Sequence, residues 1–171
     1  LGLHEVGIFA VANKFPAILM ILFTIFSYSW QISVLEEFKK EGYSKFYNKM
    51  LRLVYASLIF VSCAIGVLSP LLVSIIDERY YDAAKYIPLL CLSIVFNAFS
   101  GMVGANFSAV RESKYYFYSS IYGAIVSVLL SLVLIPKLSL YGASLAILLS
   151  HLSMAISRLY YSWKYVKVKN V

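Results

Sequence analysis

Acidic side chains are the scarcest chemistry in this sequence. Only eight of its 171 residues are Asp or Glu, and charged residues of both signs reach 13%, against roughly 25% in a soluble domain. None of the eight falls inside the five long apolar blocks described below. A catalytic magnesium site needs a cluster of carboxylates, and an exporter driven by protons or sodium ordinarily buries one in a span. Neither is encoded here. Cysteine is nearly absent too. Cys63 and Cys91 both lie in apolar surroundings, where they read as small buried hydrophobes. With no CxxC and no Cys/His cluster, redox and metal readings have no support. HExxH, GxxxxGK[ST] and GxSxG are likewise missing, so no enzyme motif, metal site or cofactor is expected. The chain opens on Leu with no charged n-region, which is not a signal peptide and reads as a piece of a longer protein.

What the sequence does have is length of apolar run. Hydrophobic residues make up 61% and mean hydropathy is +0.80. Uncharged windows run from Phe15 to Leu35, Leu53 to Ile76, Tyr86 to Val110, Tyr115 to Pro136 and Leu138 to Ser157. Each is near the roughly 20 residues that cross a hydrocarbon core of about 30 Å. The expected fold is therefore an all-α integral membrane bundle of five transmembrane helices, A to E, spanning about 13–35, 53–76, 86–110, 115–136 and 138–160.

The net charge of +7 would suggest nucleic acid on a soluble protein. Here the cations sit between apolar blocks, where they set topology, and no nucleic-acid surface is predicted. The A–B connection, the C–D connection and the tail carry eleven basic residues, and the opposite connections carry Lys14, Arg79, Lys85 and Lys137. The positive-inside rule places the first set, and the C-terminus, in the cytoplasm, and the N-terminus outside. An odd number of spans starting outside without a signal suggests one more helix before residue 1. Trp30 and Trp163, and tyrosines such as Tyr43, Tyr47, Tyr115, Tyr160 and Tyr165, flank the connections, as amphipathic rings do at the headgroup level. The A–B connection itself, EEFKKEGYSKFYNKMLR, fits either an interfacial helix or a solvated turn around Gly42.

Several faces stand out. Small residues recur every fourth position at Ser119, Gly123, Ser127 and Ser131, at Gly142, Ala146 and Ser150, and at Gly101, Ala105 and Ala109. In lipid such rows mark close helix packing. Helix C gathers Ser93, Asn97, Ser100, Gly101, Gly104 and Ser108 on one face, which must meet protein or water. Asn97 is a substrate ligand or an interhelical hydrogen-bond partner. Helix A lines Asn13, Lys14, Ala17, Ile21, Thr24, Tyr28 and Gln31 along one side, the natural wall of a water-accessible cavity. Lys14 either faces that cavity or snorkels to the outer headgroups. His151, in mid-helix E, is a candidate proton relay or a satisfied packing residue. Pro16 is expected in the first turns of A, and Pro70 is expected to kink B.

Three stretches resemble a known family. GLHEVGIFAVANKF resembles the G-x-x-x-x-G-x-[FY]-x-x-A-x-[KR] opening of a lobe's second helix in polysaccharide biosynthesis proteins. YYDAAKYIPLLCLSIVFNAFSGMVGANFSAVRESKYYF resembles their segment from an external loop through a helix to a basic turn. LIPKLSLYGASLAILLSH is similar to their IP-x-x-G-x-x-GA signature, with Ser139 or Leu140 in place of the first Gly. The family is the oligosaccharide flippase branch of the multidrug/oligosaccharidyl-lipid/polysaccharide exporters. The resemblance implies the C-terminal lobe of a 12–14-helix two-lobe transporter in the bacterial cytoplasmic membrane, with a missing N-terminal lobe as its partner. It also implies a cationic cavity for a polyprenyl-pyrophosphate-linked oligosaccharide, to which Lys14 contributes. A drug/cation antiporter lobe, and a non-transporting membrane subunit of a glycan-polymerising complex, are the alternatives.

Overall fold

The computed structural model describes residues 2–166, with Tyr165 described by its backbone alone. Lys167 and Lys169, counted above in the basic tail, lie outside the described residues. Four α-helices follow one another: α1 (Leu3–Glu37), α2 (Tyr43–Ile76), α3 (Ile87–Ala109) and α4 (Ser113–Tyr161). A 3-10 segment, Glu78–Lys85, joins α2 to α3, and a π-helical turn, Ser162–Val166, follows α4. No strand occurs among the described residues. All four α-helices are long and apolar enough to cross a membrane.

The fourth helix is two spans. Its backbone leaves the helical region at Ser139 (φ 51°, ψ −128°), and the chain folds back on itself there. Arg158 reaches Ser119, Met154 packs on Gly123, and Gly142 sits against the backbone of Leu134. These pairs lie nearly symmetrically about Ser139, as in an antiparallel hairpin. The halves, α4a (residues 113–138) and α4b (residues 140–161), are helices D and E, each about 33–39 Å long at 1.5 Å per residue. Gly142 is required by the close approach. A Cβ there would lie 2.2 Å from the Leu134 carbonyl oxygen.

Successive helices therefore run antiparallel, and the bundle has two distinct ends. At one, Trp30 Nε1–H donates to the Met102 carbonyl (3.2 Å), Tyr43 donates to Asn106, and Tyr115 stacks on Tyr161. At the other, Ser139 donates to Glu5 (3.0 Å) and Tyr86 meets Tyr141 edge-on. The first end collects Lys39, Lys40, Lys45, Lys49, Arg52, Arg111, Lys114, Arg158 and Lys164 and is called the basic end below. Helix α3 forms the centre of the bundle: over half of its apolar window is buried, against a third or less for the other helices. Large apolar side chains such as Ile25, Phe60, Val67, Leu132 and Ile156 stay exposed around it. In water that much apolar surface would drive aggregation; in lipid it is the expected exterior of a multi-pass membrane protein.

Three sequence expectations change. Helix A begins ten residues before 13, so Pro16 lies well inside α1, where it removes the donor to the Ala12 carbonyl. Helix B likewise begins at Tyr43, ten residues before 53, and of the two readings of the A–B connection the turn around Gly42 is the one observed. A turn at residues 38–42 suffices, closed by Gly42 in the left-handed region (φ 89°), and the basic stretch from Lys45 to Arg52 forms the first turns of α2. Pro70 lies inside α2, where it has no N–H to give. The Gly66 carbonyl, which a Pro70 N–H would have served, lies 2.8 Å from the Ser69 hydroxyl; the same hydroxyl is 3.1 Å from the Ala84 carbonyl. Finally, Trp30, Tyr43 and Tyr47 are buried, packed together over α3 instead of facing headgroups. Each ring tip that burial would leave unpaired can meet a polar group of α3, which makes burial affordable for these amphipathic rings.

Candidate functional site

A polar cavity of about 560 Å3 lies between α1, α3 and the hairpin α4a–α4b. Its floor is the small, polar face of α3: Asn97, Gly101, Gly104, Ala105 and Ser108. The absence of bulk on that face is what leaves the space. One wall is α1, with Thr24, Ser27, Tyr28 and Gln31; the other is α4, with Ser113, Tyr116 and Arg158. The cavity runs from Asn97, whose amide lies 3.8 Å from Met20 Sδ, toward the basic end. No carboxylate lines it.

Arg158 supplies its charge. This residue is only 3% exposed, and its guanidinium carbon lies over the Tyr116 ring, 3.9 Å from the centroid. Nε donates to the Ser119 hydroxyl (3.0 Å) and one Nη to the Ser120 hydroxyl (2.9 Å). Both hydroxyls spend their own protons on the Tyr116 carbonyl (2.8 and 2.9 Å), so their lone pairs are left to accept from the cation. The other Nη points at the α3 floor, 3.2 Å from where a Gly104 Cβ would stand. A guanidinium so held is oriented by its ring and its two hydroxyls, with its remaining edge beside the cavity. Stacking and forked donation are the properties that separate Arg from Lys.

Of the residues singled out in the sequence, the structure brings together Thr24, Tyr28 and Gln31 of helix A with Asn97, Gly101 and Gly104 of helix C. Asn13 and Lys14 stand apart. Asn13 donates to the Phe9 carbonyl one turn back (2.8 Å), and Lys14 is exposed on α1 toward the end opposite the basic one. Ser100 is fully buried and lines no part of the cavity. His151 holds α4b to α3: its Nδ1 lies 3.0 Å from the Ser93 carbonyl. Because a carbonyl can only accept, that nitrogen carries the proton. No group of three or more His, Cys, Asp or Glu residues able to hold a metal occurs among the described residues.

Sequence reasoning did not single out Arg158, because scanning for uncharged windows ends helix E at Ser157. The available signal was register. Ser119 and Arg158 stand twenty residues before and nineteen after Ser139, so a tight hairpin there sets them side by side. Comparison with protein families, with curated proteins and with solved structures finds no match to this chain.

Proposed function

We propose that this chain is part of a flippase that carries a polyprenyl-pyrophosphate-linked oligosaccharide across the bacterial cytoplasmic membrane for polysaccharide biosynthesis, with the basic end cytoplasmic. The observation that carries the reading is Arg158: a buried cation, held by neutral groups, beside an acid-free polar cavity between spans. A buried charge without a counter-ion is costly, and a passing phosphate would offset that cost through charge-assisted hydrogen bonds in low dielectric. The hydroxyls, amides and phenols of Thr24, Ser27, Tyr28, Gln31 and Asn97 suit the hydroxyl-rich sugar. The order of the three family-like stretches and the crowding of cations at one end agree with this reading.

In this mechanism Arg158 meets the pyrophosphate from the basic end. Lys14, exposed further along α1 on the same side as Ile21 and Tyr28, receives it as the path opens at the other end. The exposed edge formed by Ile21, Tyr28 and Gln31 gives a second lobe a surface to close against.

The test is complementation of glycan export by the protein as the cell makes it. Arg158→Gln is expected to abolish export while the protein still reaches the membrane, and Arg158→Lys to retain part of it. Lys14→Ala is expected to weaken export, and Lys14→Arg to preserve it. Full export by Arg158→Gln would remove the reading. Loss of polymer with undisturbed appearance of the lipid-linked unit in the outer leaflet would favour a non-transporting subunit of a glycan assembly complex.

A further inference from the structure

The first turns of α2 carry a second cationic feature, away from the cavity. Lys45, Lys49 and Arg52 stand at i, i+4 and i+7 and so share one helix face. With Asn48, Leu53, Ala56 and Ser57 they line an open groove of about 700 Å3. Lys40, Arg79, Lys85 and Lys114 each have a carboxylate within 2.9 Å, whereas these three have no ion pair among the described residues. All three are exposed. The helix then runs on without a charge to Ile76, and its outward face, Leu53 and Phe60 among others, is exposed apolar surface.

The groove thus has an amphiphile's own profile. A cationic stretch about 10 Å long matches a headgroup layer reached by snorkelling side chains. It passes directly into an apolar wall at the depth of acyl chains. We infer that Lys45, Lys49 and Arg52 form a binding site for an anionic phospholipid of the surrounding leaflet, its phosphate on the three cations and a chain along Leu53 and Ala56. Clustered cations beside a span attract anionic lipid, each contributing separately. The site is distinct from the cavity and does not depend on the flippase reading.

Native mass spectrometry of the purified chain in a non-ionic detergent tests it, using phosphatidylglycerol and phosphatidylcholine with matched acyl chains. Phosphatidylglycerol is expected to bind about tenfold or more tightly than phosphatidylcholine. Lys45→Gln/Lys49→Gln/Arg52→Gln should bring the two within about twofold. Arg79→Gln/Lys85→Gln/Lys137→Gln, which removes the same charge from the other end, should keep the preference. Helix content and melting temperature report on folding, and Lys49→Glu alone supplies the same readout if the triple variant does not fold. Equal binding of the two lipids by the parent chain, or equal loss in the control variant, overturns the proposal. Full displacement of phosphatidylglycerol by equimolar inorganic phosphate also overturns it, since the site would then read a free anion and not a lipid.

Discussion

The guanidinium of Arg158 lies 3.9 Å above the ring of Tyr116, and the carbonyl of that same tyrosine orients the two serine hydroxyls that accept from it. One residue of α4a therefore holds the cation of α4b by its ring directly and by its backbone at one remove. The contact both locks the hairpin and faces the cavity, so its two roles can be separated by substitution.

Arg158→Met fills a similar volume without charge. Replacing a buried charge by an apolar side chain is often close to neutral for folding, so the melting temperature in detergent should change little, by an amount worth about 1 kcal/mol or less. Binding of inorganic pyrophosphate, followed by calorimetry, should vanish. Arg158→Lys should lose about 1–2 kcal/mol of stability, because an ammonium cannot lie flat on the ring and serve both hydroxyls, while keeping some anion affinity. Pyrophosphate bound equally by the parent and Arg158→Met would show that the anion sits elsewhere.

Gly104 and Gly142 both face tight contacts, of different kinds. A Cβ at Gly104 would lie 2.6 Å from the Tyr116 ring, a side chain that can rotate away. Gly104→Ala should cost about 1–3 kcal/mol and displace Tyr116 from Arg158, weakening anion binding. At Gly142 the clash is with the backbone of Leu134, which cannot move without opening the hairpin. Gly142→Ala should lower the melting temperature more than Gly104→Ala does. The reverse order would mean that the hairpin is looser than the structure has it.

Ser139 adopts a backbone conformation (φ 51°, ψ −128°) that glycine reaches without a Cβ penalty. A non-glycine residue held there stores about 1–3 kcal/mol. Ser139→Gly should relieve this and lose one hydrogen bond to Glu5, worth about 1 kcal/mol, leaving stability unchanged or raised. Ser139→Val should lower it, since a β-branched side chain fits that region worst. Thermal melts of the two variants in the same detergent check the ordering, and Val equal to or above Gly would contradict it.

His151 is committed through Nδ1–H to the Ser93 carbonyl. His151→Gln keeps a donor and should cost less than His151→Leu, which loses a bond worth about 0.5–1.5 kcal/mol. The pH dependence of glycan export should be the same in His151→Gln as in the parent. A displaced pH profile would restore the imidazole as a proton carrier.

The span register was legible in the sequence because each span is a long uncharged run, and a helix is the structure that satisfies every backbone group of such a run without help from its neighbours. Two of the cavity's faces were legible for a similar reason. Thr24, Tyr28 and Gln31, and Asn97, Gly101 and Gly104, each follow the 3.6-residue period of a single helix. Helix bounds were less so. Nothing in the composition says that α1 starts at Leu3, or that the turn after Glu37 needs only residues 38–42 before α2 begins.

Residue order alone thus determined what local hydrogen bonding and hydropathy can determine: how many times the chain crosses, where its cations gather, and which side of each helix is polar. Only tertiary structure decided which polar sides meet. The fold-back at Ser139 brings Arg158 to Ser119, Ser120 and Tyr116, and the packing of α1 against α3 joins two separate stripes into one cavity while leaving Lys14 outside it. That pairing depends on contacts between residues far apart in the chain, which periodicity within one helix does not encode.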